Sequence, residues 1–201
     1  MMVKTMPLPA LETSAPSQPD TRSRILTAAQ RLFRKRGYHA TGLNDILDLA
    51  NAPKGSMYHH FPGGKEAIGV CVIEDIAQAL LGLLEQSRAR STEALVLQVG
   101  ESLSVTMEKT DYEICTLFTA FAAERKSSPQ LGVAVAKAYE SLVGAIAARL
   151  QLDGLTARAA LEKALMVTAL LEGGSLLSQA QQSSTAFRLS YKQAASLCAI
   201  N

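Results

Sequence analysis

The sequence predicts an all-α fold, and three observations carry that prediction. Of 201 residues, 48% are hydrophobic and 5% aromatic, with no Trp, and Ala and Leu dominate; this suits packed helices better than the β-branched and aromatic mixture of sheets. Beyond residue 20 the apolar residues recur at helical spacing, and no stretch alternates as a strand would. The breaks between periodic stretches are short clusters of Gly, Pro, Ser and Asn, the residues that end helices. About nine helices are expected.

Residues 1–19 stand apart, because Pro7, Pro9, Pro16 and Pro19 interrupt them and little apolar surface is available to bury; they read as a disordered arm. They lack the continuous apolar segment of a signal peptide. Asp20 or Thr21 then caps a first helix whose buried face is Ile25, Ala28, Ala29, Leu32 and Phe33. Arg34, Lys35 and Arg36 fall in its last turn, beside the negative end of the helix dipole, and Gly37 supplies a left-handed stop. Thr41 is expected to cap a second helix of about two turns with Leu43, Ile46, Leu47 and Ala50 as its apolar stripe.

Pro53 suits the first position of a third helix that runs to Phe61. Met57 and Phe61, four apart, face the core, which leaves Lys54, Ser56, Tyr58 and His59 on exposed faces or at the open end. Pro62, Gly63 and Gly64 end this segment, and a longer amphipathic helix begins near Lys65 with Ile68, Val72, Ile76, Ala79, Leu80, Leu83 and Leu84. Further helices are expected over 92–109, 111–126, 129–151, 155–181 and 185–199.

Charge is segregated along this plan. The net charge is +2 for the chain, but residues 22–65 alone carry +6, and residues 66–201 carry −3. A basic early segment points to nucleic acid or another anionic surface as its partner. Two short helices joined by a tight turn, the second with a basic start and exposed hydroxyl and imidazole groups, form a helix-turn-helix over 43–62. Such a helix enters a major groove end-on and needs a small residue in its first turn; Gly55 is that residue, although Gly costs a helix interior about 1 kcal/mol relative to Ala. The expected division is a three-helix DNA-binding domain at 20–65 and a helical domain at 66–201.

Ala28, Leu32, Phe33, Gly37, Tyr38 and Thr41, followed by the run Pro53-Lys54-Gly55-Ser56-Met57-Tyr58-His59-His60-Phe61 and by Lys65-Glu66-Ala67, resemble the N-terminal domain of TetR/AcrR-family repressors. The Pro-Gly-Gly-Lys-Glu run looks like the branch that includes the LmrA/YxaF-type drug- and flavonoid-responsive regulators. The resemblance covers about a third of the chain. It implies a cytoplasmic homodimer that binds double-stranded operator DNA and is released by a small-molecule effector. It also implies contacts: Thr41 to a phosphate, Lys54 and Ser56 to base edges or phosphates with Gly55 between them, Tyr58 and His59 to the backbone, and Lys65 to a phosphate. Each such phosphate contact steepens the salt dependence of binding by about 0.9 in logarithmic slope.

Other chemistries fit poorly. Gly63-Gly64-Lys65 is no phosphate-binding loop, because His59 and Glu66 stand where such a loop needs Gly and Ser or Thr. His39, His59 and His60 lack a third ligand at metal spacing, so no metal is expected. No nucleophile-base or paired-carboxylate arrangement suggests an enzyme or a cofactor. Cys71, Cys115 and Cys198 are too scattered for a disulfide framework and fit a reducing cytoplasm. The longest clean apolar run, Ala164 to Leu171, is far short of a membrane span.

In the C-terminal part, Met107, Cys115, Phe118, Phe121, Tyr139, Met166, Glu172 and Leu176 lie on apolar helices and form a candidate effector pocket. Cys115 offers an alternative input, as a thiol sensing electrophiles or oxidants. By family analogy the last two helices pair with their copies, Gly173 and Gly174 permitting close approach and Leu161, Leu165, Leu176, Leu189 and Leu197 supplying apolar contact.

Overall fold

Capping groups set where the helices begin. In the computed structural model, residues 20–112, 118, 121 and 123–199 are described. The expected arm at 1–19, Cys115 and most of the expected helix over 111–126 lie outside them. Among the described residues there are eight α-helices, one short 3-10 turn at Ala123–Lys126, and no strand. The helices are α1 (Thr21–Arg36), α2 (Leu43–Ala50), α3 (Lys54–His60), α4 (Gly64–Gln86), α5 (Thr92–Lys109), α6 (Pro129–Leu152), α7 (Ala157–Gln181) and α8 (Thr185–Cys198).

The Asp20 carboxylate accepts from the Ser23 N–H at 2.7 Å and caps α1; this bond holds the carboxyl below its usual range. Gly37, at φ 79°, closes the other end with its N–H on Phe33 O. Two expected helix starts move by one residue. Gly42, not Thr41, stands at the N-cap of α2, its N–H bonded to Asp45 Oδ2 at 3.1 Å. Pro53 is likewise the N-cap of α3 with extended backbone, so the first helical residue is Lys54. Asp111 and Tyr112, expected to start a helix, have φ of 50° and 61°. They end α5 instead, the Tyr112 N–H closing on Met107 O at 2.8 Å.

The described residues form two compact units that do not coincide with a cut at residue 65. One joins the chain up to Ile76 with the stretch from Phe118 to Ala138; the other joins 77–112 with Tyr139 onward. In the first, α1 packs against α2 and α3, and Ile25, Phe33, Ile46, Met57, Phe61, Ile68 and Ile73 are sealed from solvent. Phe33, Tyr38 and Phe121 meet as a ring cluster, with centroids 5.2 Å apart for Phe33–Tyr38 and 5.5 Å, edge-on, for Phe33–Phe121. α4 passes so near that a Cβ at Gly69 would lie 2.8 Å from Leu131 and 3.1 Å from the Tyr38 ring.

In the second unit α8 is the central element and packs on α5 and α7. One buried cluster gathers Val96, Ile146, Leu150, Ala164, Val167, Ala194 and Cys198; another gathers Met107, Phe187 and Tyr191. A polar clasp borders the latter: Arg188 reaches Glu101 at 3.1 and 3.3 Å and Glu108 at 3.3 Å, and the Tyr191 hydroxyl donates to Glu101. Burial, and then that bond, push the Tyr191 phenol to about 12; burial pushes the Cys198 thiol to about 11.

α4 and α6 have the length and mean hydropathy of a membrane span, although charged residues interrupt both. Exposed Glu74 and Asp75 midway along α4, and Lys137 and Glu140 midway along α6, argue against spanning, since each charge at a bilayer centre costs about 2.5–3.5 kcal/mol on insertion scales.

Two predictions follow from the second unit. A Cβ at Gly100 would fall 2.6 Å from Tyr191 Cβ, whereas one at Gly144 meets nothing. In urea denaturation Gly100→Ala is expected to lose about 1–3 kcal/mol, and Gly144→Ala to gain up to about 1 kcal/mol. The second concerns alkali. Tyr191 and Cys198 have folded values above their ordinary 10.0 and 9.0, so the folded state keeps protons that the unfolded chain loses. Their stabilisation is complete below pH 9 and declines as pH rises towards 12. The urea midpoint should fall across that range, and less steeply in the Tyr191→Phe, Cys198→Ala double variant.

Candidate nucleic-acid interface

α3 has seven residues, too few to be stable by its own hydrogen bonds, so its two faces are set by packing. Met57 is fully buried and Phe61 nearly so, while Lys54, Gly55, Tyr58, His59 and His60 are exposed and Ser56 is half-buried. Tyr58 is 48% exposed. The rings of His59 and His60 meet edge to face at 5.2 Å. Asn51, at φ 47°, turns the chain from α2 towards α3. The outward residues of α2 are Asn44, Asp45, Asp48 and Leu49, the Asp45 charge being paired with Arg36 at 3.6 Å.

Around Phe61 a further cation appears that the sequence pattern had not singled out. The Arg22 guanidinium lies 5.5 Å from the Phe61 ring centroid and donates to Cys71 Sγ at 3.6 Å. Burial raises the Cys71 thiol above its ordinary value even so.

Two expected phosphate contacts are placed differently. Thr41 is fully buried and its hydroxyl donates to Gly37 O at 2.8 Å, so it belongs to the inside of the α1–α2 turn and is withdrawn from any phosphate. Lys65 turns inward, its Nζ 3.0 Å from both Tyr38 O and Thr41 O and 4.2 Å from the Tyr38 ring centroid. Nothing in the sequence signalled these bonds, because they depend on where two segments 24 and 27 residues apart meet.

The candidate pocket residues are dispersed. Phe121 is taken up by the ring cluster with Phe33 and Tyr38, and Phe118 is buried in that same first unit. Met166 and Leu176 are about half exposed, 52% and 48%, on a face of α7 shared with Leu161, Leu165 and Leu177, so they line no interior of the described chain. Met107 is buried against Phe187 and Tyr191, while Tyr139 and Glu172 are half-buried. Cys115 lies outside the described residues. Gly174 is buried, a Cβ there falling 2.6 Å from Ser190 Cβ, so it serves the α7–α8 contact; Gly173 is exposed.

Residues 25–68 match the TetR family of bacterial regulatory proteins, and residues 92–193 match the C-terminal domain of LmrA/YxaF-like transcriptional regulators. The HTH-type transcriptional regulator LmrA of Bacillus subtilis is 34% identical over 172 residues, which span 83% of this chain and 90% of that protein. This chain belongs to the TetR family, in its LmrA/YxaF-like branch. It is a helix-turn-helix, DNA-binding transcriptional regulator. The HTH-type transcriptional repressor NemR of Escherichia coli is 44% identical, but over 55 residues, 27% of either chain. Solved structures share the fold: a TetR regulator from Legionella pneumophila has a TM-score of 0.81 at 23% identity, covering 92% of this chain and 100% of that one. Reduced NemR has a TM-score of 0.72 at 22% identity, covering 91% and 99%.

The two faces of this TetR-family α3 separate cleanly under mutation. Met57→Ala is expected to cost about 2–5 kcal/mol in chemical denaturation. Tyr58→Ala should change stability by no more than about 0.5 kcal/mol.

Proposed function

We propose that this regulator is a repressor that acts as a homodimer, laying one α3 from each copy in successive major grooves of a near-palindromic operator, and that a small-molecule effector bound in the second unit releases it. The observation that carries the reading is the outward face of α3: Lys54, Gly55, Tyr58 and His59 are exposed while Met57 and Phe61 bury the opposite side. A basic first turn with no side chain at its second residue suits close approach to base edges, with the flanking donors on phosphates. Lys54 and Ser56 are the proposed base or phosphate contacts, and Tyr58 and His59 the proposed backbone contacts. Successive major grooves lie about 34–36 Å apart, so two copies are needed to read both.

Several observations support the remainder. Leu161, Leu165, Met166, Leu176 and Leu177 expose an apolar face along α7, joined by Leu189 of α8, as a helix awaiting its own copy would. Effector contacts are proposed within the second unit, with Met107, Tyr139 and Glu172 as the candidates there. Binding would favour a dimer whose reading helices no longer fit the groove spacing. The regulator would work in the cytoplasm, without enzymatic activity or cofactor.

Gly55 provides the decisive test. A Cβ at this position meets nothing within 4 Å, so Gly55→Ala has no reason to unfold the chain. It should melt at or above the wild-type temperature yet bind a duplex from its own upstream region about tenfold or more weakly, since a methyl group would hold the helix off the groove floor. Lys54→Ala should flatten the plot of log affinity against log salt by about 0.9 per half-site. Unchanged binding by both variants would overturn the placement of α3.

A further inference from the structure

We infer that Lys65 is a positioning residue, which holds the α1–α2 turn in register with the start of α4 instead of neutralising a phosphate of the operator. The inference rests on the DNA-reading role proposed for α3. Its ground is the environment of one ammonium group. Lys65 Nζ donates to Tyr38 O and to Thr41 O, both at 3.0 Å, and stands 4.2 Å from the centre of the Tyr38 ring. Two of its three donors are thereby used on main-chain carbonyls, and an aromatic face supplies further negative potential. Burial lowers its pKa, with the nearby Glu124 carboxylate opposing the shift, as befits an ammonium drawn out of solvent.

The turn it grips is internally consistent with that role. Thr41 closes the turn upon itself, its hydroxyl on Gly37 O at 2.8 Å and its N–H on Tyr38 O at 3.3 Å. α2 starts at Leu43, two residues beyond the second carbonyl that Lys65 holds, and α3 follows α2 after Asn51 and Ala52. A shift of this turn is therefore a shift of the frame from which both helices hang. One side chain of the turn is tied from another direction, since His39 Nε2 sits 2.7 Å from Glu124 Oε2. Lys65 supplies the main-chain half of this fastening.

The two roles of a lysine at this place differ in salt dependence. A lysine on a phosphate releases counterions, and its loss flattens the dependence of log affinity on log salt by about 0.9 per half-site; a lysine that only positions the reader leaves that slope alone. The experiment compares full-length wild type, Lys65→Met and Lys65→Arg by fluorescence anisotropy on a labelled duplex from the chain's own upstream region, over a series of salt concentrations. Both variants are expected to bind about tenfold or more weakly with the wild-type slope, because a planar guanidinium cannot take the place of a compact ammonium between two carbonyls. A flatter slope for Lys65→Met together with wild-type binding by Lys65→Arg would overturn the inference, as would wild-type affinity in both.

If Lys65→Met does not fold, the charge-conserving Lys65→Arg still decides, since a phosphate contact survives that exchange. Amide hydrogen exchange over residues 38–47 provides a readout independent of DNA. Faster exchange there in Lys65→Arg supports the fastening, and unchanged exchange overturns it. Absence of DNA binding by the wild type would instead remove the role proposed for α3.

Discussion

A helix of seven residues has to borrow its orientation, and α3 borrows it from two side chains. With Met57 and Phe61 buried in the first unit, the rotation of α3 about its axis is settled, and with it which residues face outward. The outward face of α3 depends on this burial. Loss of either apolar side chain would not trim the surface but release it, because no internal hydrogen-bond ladder of that length holds itself together in water.

The main chain around α2 and α3 is shaped by local rules that work alongside this packing. Asn51 takes the left-handed conformation that ends α2, Gly42 N–H is satisfied by the Asp45 carboxylate, and Pro53 sets the extended backbone from which α3 starts. The α1–α2 turn has no regular structure of its own. It relies on Thr41 from within and on Lys65 from α4, so its geometry is held by hydrogen bonds to the Gly37, Tyr38 and Thr41 carbonyls.

The second unit is organised differently, around close helix approach and one polar clasp. Gly100 lets α5 lie against the Tyr191 ring, and Gly174 lets α7 lie against α8. Arg188 and Tyr191 then join α8 to two carboxylates of α5, the Tyr191 hydroxyl being the main influence that lowers the Glu101 pKa. The same α7 that is tightly packed on one side shows leucines on the other. That asymmetry, together with membership of the TetR family, is the physical basis for reading α7 as a dimer surface.

The sequence by itself determined the helical class, the places where α1 to α3 begin and end and where α4 begins to within a residue, and the sorting of α3 into buried Met57 and Phe61 against exposed Lys54, Tyr58 and His59. These are periodicity, capping and turn chemistry, which act between residues a few positions apart. Only the tertiary structure decided that Lys65 and Thr41 point inward, that Phe121 joins Phe33 and Tyr38, and that Met166 and Leu176 face out. The reason is that each of these depends on which distant segment lies alongside. An apolar residue on a helix reads the same whether it meets a core, a ligand or a second copy of the chain.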